Sequence, residues 1–252
     1  MRYIDPEQLM RRRLEGVEHP AWNAAVLCFR DLEGSRTIVA RFGATAMGHE
    51  LLWGAEPTED GPTTFTCEMG GRRVVILTRC HWGGPQAAIL VEELAQLGVR
   101  TILGVGAAGG LVRAFPRGAQ AVASRAVVTD GTSPHYTSED AAHPDPDLLD
   151  LARSVGADAG LLIQDACVAT VDAVYRETPE LIARYRAQGA QIVNMETAAF
   201  YAAAAVCDVP ALWIGHVSDC LTNDEWEPWD DLEDMTAVTA DWAARILARG
   251  SS

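Results

Sequence analysis

The chain contains no lysine; all 20 of its basic residues are arginine. That absence removes Schiff-base catalysis through a lysine amine and the lysine of a P-loop. Basic charge is also outweighed. Asp and Glu number 35, the formal net charge is −15, and no basic stripe of the kind that follows a nucleic-acid backbone is present. The longest basic run, Arg11-Arg12-Arg13, falls in a helical pattern and reads as a solvated helix face. Six cysteines stand at 28, 67, 80, 167, 207 and 220. None form C-x-x-C pairs or metal-ligand spacings, so no metal and no other cofactor is expected, and the thiols fit a reducing cytoplasm. The charged N-terminus lacks the apolar core of a signal peptide. No apolar run approaches the roughly 18 residues of a membrane span, so no membrane partner is expected.

What is present is an ordinary globular composition, 48% hydrophobic and 22% charged over 252 residues. A chain of this length buries a core without staples. Residues 5–15 read as a helix with Asp5 at the N-cap and Pro6 in the first turn. Residues 24–29 read as a buried strand. Residues 63–69 and 73–77 read as a hairpin around Gly70-Gly71. A helix over 85–97 stops at Gly98, and strands follow at 101–105 and 119–128. Further on come helices over 143–156, 179–187, 196–207 and 235–249, with strands at 160–169 and 211–216. The acidic, tryptophan-rich stretch 219–234 reads as a loop. Strands alternate with helices, which argues an α/β fold with a mostly parallel sheet.

Gly104-Val105-Gly106-Ala107-Ala108-Gly109 matches G-x-G-x-x-G after a strand, and Asp130 follows at the end of the next strand. A dinucleotide site needs a helix to start at those glycines. Pro116 and Gly118 follow almost at once and a strand begins near Ala119, which leaves no room for a crossover helix. The glycines are therefore expected to let backbone approach a ligand at a strand end.

The order of motifs carries a resemblance. Gly83-Gly84-Pro85 opens a helix running into VEELAQLGVRTIL; then come GVGAAGGL, VVTDGTSPHY, VNMETAAF and a strand ending HVSD. This resembles the nucleoside phosphorylase type I family, which includes uridine and purine nucleoside phosphorylases and methylthioadenosine/S-adenosylhomocysteine nucleosidases. The resemblance covers roughly residues 24 to 249. It implies one α/β domain over 1–252 with a central twisted mixed sheet flanked by helices, residues 1–20 forming an N-terminal helical extension. It also implies a homo-oligomer (dimer, trimer or hexamer), a small-molecule nucleoside as substrate, and cleavage of an N-glycosidic bond.

The resemblance assigns roles. In Asn194-Met195-Glu196, Met195 lies against the sugar and Glu196 takes its hydroxyls, its charge favouring an oxocarbenium-like transition state. Asn194 stands where the family often has a second glutamate. A capping role for Glu196 on the alanine-rich helix is the alternative. In Ser218-Asp219, Asp219 faces the purine N7 and shares a proton with the leaving base, which tilts the substrate toward purine. Gly106, Ala107 and Ala108 line the substrate. Val174 and Tyr175 fall in a base-pocket segment, although Val174 cannot stack as the family's aromatic residue does. His81, before Gly83-Gly84, is a further contact candidate; Trp226 and Trp229 are lid or interface candidates.

The pattern departs where the phosphorylases hold phosphate. After the first strand the chain reads Arg30-Asp31-Leu32-Glu33-Gly34, near residue 60 it is acidic, and Gly104 and Ala107 replace an arginine and a hydroxyl residue. The nucleosidases instead carry a water-activating glutamate after the first strand, and an ungapped count puts Glu33 there. Water as nucleophile is therefore the first expectation. Phosphorolysis through a rebuilt anion site, with Arg30 or Arg79 supplying charge, is the second. A diverged member with a biosynthetic or nucleoside-binding role is the third.

Overall fold

A computed structural model describes residues 3–17, 21–47, 51–222, 225–228 and 235–249. In chain order the elements are α1 (Pro6–Arg13), β1 (Ala24–Phe29), α2 (Leu32–Phe42), β2 (Thr45–Ala46), β3 (Thr64–Met69) and β4 (Arg72–Leu77). Next come α3 (Gly84–Gln96), β5 (Thr101–Gly110), β6 (Gln120–Val127), β7 (Ala141–Ala142), α4 (Pro146–Asp158) and β8 (Ile163–Thr170). The chain finishes with α5 (Pro179–Ala187), β9 (Ile192–Asn194), α6 (Thr197–Val206), β10 (Ala211–Cys220) and α7 (Met235–Arg249). Local chemistry sets the helix starts. The Asp5, Asp31, Asp145 and Thr178 side chains each accept a backbone N–H in the first turn of α1, α2, α4 and α5.

All ten strands belong to one mixed sheet. β5 sits at its centre, parallel to β1 on one side and to β10 on the other. β10 pairs antiparallel with β6, β6 parallel with β8, β8 parallel with β9, and β9 antiparallel with the end of β5. Five strands thereby close a ring, while β1, β4, β3 and β2 extend from it as an open sheet. Alternation along the buried strands splits the core in two. Ala25, Leu27, Phe29 and Trp213 pack with α3 and α6. Ala24, Val26, Cys28, Leu212 and Ile214 pack with α2, α4 and α7. No helix among the described residues is long and apolar enough to cross a membrane.

Three features differ from the sequence expectation. β5 does not stop at Val105 but runs straight through the glycine motif to Gly110, because its glycines accept bulky neighbours rather than turn the chain. The stretch after β1 is a helix: Asp31 caps α2, accepting the Gly34 N–H at 2.9 Å, and Glu33 lies in the first turn. Asp219 and Cys220 belong to β10 rather than to a loop.

Gly70 and Gly71 give a clean test of the hairpin's packing. Both have positive φ, 55° and 75°. A Cβ on Gly70 would lie 2.5 Å from the Ala248 carbonyl oxygen in α7, whereas one on Gly71 would meet nothing within 4 Å. Gly71→Ala should therefore cost only the left-handed backbone penalty, about 1 kcal/mol, and Gly70→Ala about 1–3 kcal/mol more. Thermal melts of the two variants should separate by several degrees; equal melting points would contradict the packing described.

Candidate active site

The junction between β9 and α6 is built so that Glu196 turns inward. Asn194 closes the helix start: its Oδ1 accepts the N–H groups of Glu196 and Thr197 at 3.4 and 3.3 Å, and its Nδ2 donates to Thr197 Oγ1 at 2.6 Å. Thr170 Oγ1 on β8 accepts the Ala198 N–H at 2.9 Å. These groups take the N–H donors of residues 196, 197 and 198 at the start of α6, and the Glu196 side chain makes no capping bond. Instead its Oε1 accepts the Trp213 indole N–H at 2.8 Å and its Oε2 accepts the Met195 backbone N–H at 2.9 Å. Glu196 is 5% exposed. Burial pushes its carboxyl up to about 8, against the opposing pull of the two N–H donors.

The glycines of β5 make this arrangement possible. A Cβ on Gly106 would lie 2.9 Å from Trp213 Nε1 and 3.2 Å from Glu196 Oε1. One on Gly104 would lie 2.9 Å from Phe29 Cε2 and 3.1 Å from Trp213 Cδ1. The indole therefore fills the space of two missing side chains and points its N–H at Glu196. From the other side Gly83, with φ 75°, packs against Met195; a Cβ there would lie 3.1 Å from the Met195 carbonyl oxygen. Burial, reinforced by nearby Glu196, pushes the enclosed Cys80 thiol far up, so it is no nucleophile.

Asp219 stands near the other end of the same strand pair. A bulge between Val217 and Asp219 interrupts the β5–β10 register and re-aims the side chain. Ser218 Oγ donates to Asp219 Oδ1 at 2.7 Å, and Trp226 Nε1 donates to Oδ2 at 2.9 Å. Across from it lies Glu177, half-buried on the approach to α5. Burial, and then the charge of Asp219, raise the Glu177 carboxyl to about 7. Glu177 and Trp226 share a cavity of about 200 Å³ with Ile182 and Leu221.

The sheet thus gathers Asn194, Met195, Glu196, Gly106, Ala107, Ala108, Ser218 and Asp219 onto the ends of β5, β9 and β10. Ala107 lies on the opposite face of β5 from Gly106, level with His216. The other candidates lie at the surface. Val174 and Tyr175 are 48% and 98% exposed in a single 3₁₀ turn. Glu33 and His81 are exposed, His81 lying against the Trp82 ring with centroids 4.8 Å apart. Trp229 lies outside the described residues. Among the described residues no group of three or more His, Cys, Asp or Glu could hold a metal ion.

Two residues escaped the sequence reading. Trp213 is the direct partner of Glu196, and its signal was the alternation of Gly104 and Gly106 on one strand face, which calls for a large neighbour. Glu177 had no local signal, because its environment comes from Asp219, far along the chain.

Linkage gives a test of the Glu196 seat. A carboxyl that ionises near 4.5 when unfolded and near 8 when folded binds protons more tightly in the folded state. Its contribution to stability is full below about 4.5 and is lost as pH rises toward about 8. Glu196→Gln lacks that loss, so its melting temperature relative to wild type should climb steadily from about pH 5 to about pH 8.5. A gap that does not change with pH would contradict the buried, proton-holding carboxyl. In the same way Asp219→Asn should lower the midpoint of Glu177, read by carbon NMR of labelled glutamate.

Residues 39–249 match the family model of the phosphorylase superfamily. Over 169 residues the chain is 31% identical to an uncharacterized protein of Acanthamoeba polyphaga mimivirus, a match covering 66% of this chain and 65% of that protein. Over 171 residues it is 32% identical to the DeoD-type purine nucleoside phosphorylase of Bacillus cytotoxicus, covering 66% of this chain and 71% of the relative. The match thus spans just under two thirds of the mimiviral protein's length and somewhat more of the bacterial one's. Among solved structures, a futalosine hydrolase mutant of Helicobacter pylori superposes with a TM-score of 0.71 at 17% identity, covering 88% of this chain and 97% of that one. At that identity the likeness speaks for the fold. The family match runs from α2 to the end of α7 and includes every strand that carries the site, and on that ground the chain belongs to the phosphorylase superfamily.

Proposed function

We propose that the protein hydrolyses the N-glycosidic bond of a purine-type nucleoside. The observation that carries the choice of water is the packing at Gly104. In the resemblance described above, that position belongs to a phosphate-binding arginine. Here Phe29, Trp213 and Phe200 occupy the space of any side chain, with distances of 2.9, 3.1 and 3.3 Å to a hypothetical Cβ. A phosphate dianion needs several charge-assisted donors in a buried site, and Gly104 and Ala107 offer no side-chain donor.

In this reading Met195 lies under the sugar and Glu196 beside its hydroxyls. The low-dielectric seat that penalises the Glu196 charge in the empty site strengthens its attraction to a sugar that turns cationic as the bond breaks. Asp219 hands a proton to the departing base, and Glu177, which holds a proton up to about 7, replenishes it. Glu33 takes the proton released by the attacking water. Ser218 and Trp226 fix the Asp219 carboxyl in place. The substrate is a nucleoside, and the working form is a homo-oligomer. The purine preference draws support from the Bacillus cytotoxicus relative, named a purine nucleoside phosphorylase; the solved neighbour is named a hydrolase.

One observation favours phosphorolysis as the second reading. Arg30 is largely buried at the end of β1, and its Nε has no hydrogen-bond partner. Its charge also acts on His216, whose Nε2 is likewise buried without a partner. Burial first, and then Arg30, hold that imidazole neutral down to about 3. Arg30 Nε, a buried donor without a partner, is a point of attachment for an oxyanion.

A nucleoside panel with and without inorganic phosphate separates the two. Hydrolysis predicts equal release of free base in both buffers, with free sugar as co-product. A rate that collapses without phosphate overturns hydrolysis in favour of the Arg30 site. Asp219→Asn should slow base release by about 10²-fold or more, and unchanged turnover would remove Asp219 from the mechanism.

A further inference from the structure

Three glycines on two neighbouring strands, β5 and β10, give the Trp213 indole a slot of its own. A Cβ on Gly215 would lie 2.7 Å from Trp213 Cζ2, one on Gly106 2.9 Å from its Nε1, and one on Gly104 3.1 Å from its Cδ1. Beside Gly104 the rings of Phe29 and Phe200 meet edge to face, with centroids 5.9 Å apart, and close the slot. The backbone is pinned as well. The Trp213 N–H donates to Tyr201 Oη at 2.9 Å, and Tyr201 Oη donates on to the Ala123 carbonyl at 2.7 Å. Tyr201 lies in α6, the helix that Glu196 precedes. Trp213 therefore joins β10 to that segment twice, once through its backbone and once through its indole.

A ring that only fills a core needs no particular destination for its N–H beyond some acceptor. Trp242, equally buried, sends its indole N–H to the backbone carbonyl of Ala152 at 3.0 Å. Trp213 sends its own to a carboxyl group in the site. A donor locked by packing and aimed at an ionisable oxygen is a preorganised one. Each Glu196 oxygen then has one protein donor, the indole for Oε1 and the Met195 N–H for Oε2. A carboxylate oxygen accepts two bonds, so one lone pair on each remains for a pair of neighbouring hydroxyls. We propose that Trp213 is a positioning residue for glycosidic cleavage: its N–H holds Glu196 so that the carboxylate meets the sugar with one free lone pair on each oxygen, and it favours the ionised form that a cationic sugar requires. The role in cleavage rests on the nucleosidase reading given above; the hold on Glu196 does not.

The pH behaviour follows from what surrounds the carboxyl. β5 brings Gly106, β10 brings the indole, and the segment before α3 brings the Cys80 thiol, which burial keeps neutral. None of these is a cation. Two N–H donors therefore oppose the burial that raises the Glu196 carboxyl to about 8, and the indole is the stronger of the two. A hydrogen bond to a charged group is worth about one pH unit or more of its ionisation. The sugar hydroxyls add two further donors, so Glu196 gives up its proton to solvent as the sugar binds.

The test uses the full chain and two lesions on different strands, so that a fold defect in one leaves the other to decide. Trp213→Phe keeps a ring in the slot and removes the donor. Gly106→Ala wedges a methyl group between the indole N–H and Glu196 Oε1. The first readout needs no turnover. Carbon NMR of labelled glutamate, with the Glu196 signal assigned by its loss in Glu196→Gln, should show the Glu196 midpoint rising by about one pH unit in each variant. The second follows cleavage of the nucleoside preferred in the panel above. At about pH 7 kcat/KM should fall about tenfold, and the deficit should shrink toward about pH 9. A variant that merely packs badly loses the same fraction at every pH. A midpoint unmoved in both variants, or a rate deficit independent of pH, overturns the proposal. A midpoint that rises in a protein that cleaves no nucleoside supports the hold of Trp213 on Glu196 and overturns the nucleosidase reading instead.

Discussion

The hydrogen bond from the Trp213 indole to Glu196, made through the space that Gly106 leaves open, is the constraint on which the site depends. It runs between two elements far apart in sequence, β10 and the start of α6. A carboxyl group in an apolar core is costly unless its oxygens find donors. Here one donor is the indole and the other is the backbone N–H of the preceding residue. The indole reaches its position only because β5 carries no side chains at 104 and 106 on that face. Backbone composition on one strand, aromatic packing on the next and the ionisation of a residue on a third element are thus a single arrangement. Burial still outweighs the two donors, which is why the carboxyl holds its proton to about 8.

The helix start beside Glu196 follows the same economy. Asn194 and Thr170 take the first N–H groups of α6, so the glutamate next to them is free of the capping task its position would otherwise impose. Glu196 accordingly makes no side-chain capping bond. Asn194 spends both ends of its amide on this junction, its oxygen on backbone N–H groups and its nitrogen on the Thr197 hydroxyl.

Much of the fold was legible because its signals are local. Proline and an aspartate or threonine mark the starts of α1, α4 and α5, and continuous apolar runs mark β1 and β4. Helix α2 was not legible. Its sequence, LEGSRTIVARF, holds a glycine and β-branched residues that mask the Asp31 cap, and packing of Ile38 and Phe42 against the core adds what the local pattern lacks. Strand β9, three residues long, is too short for any periodicity to show. At the site, residues within a compact motif such as Asn194-Met195-Glu196 could be singled out. Trp213 and Glu177 could not, since what makes them matter is a contact with a group brought close only by the sheet.

β5 is hydrogen-bonded along both edges, to β1 and then β9 on one side and to β10 on the other. Glu196 packs over its middle, at Gly106, and Asp219 pairs with its end, at Gly109. The separation between the two carboxyl groups is therefore counted out in residues of an extended strand, which cannot stretch. Loops at the rim of the sheet carry no such count. A lineage with this sheet would keep the distance between the two carboxyl groups fixed while those loops varied.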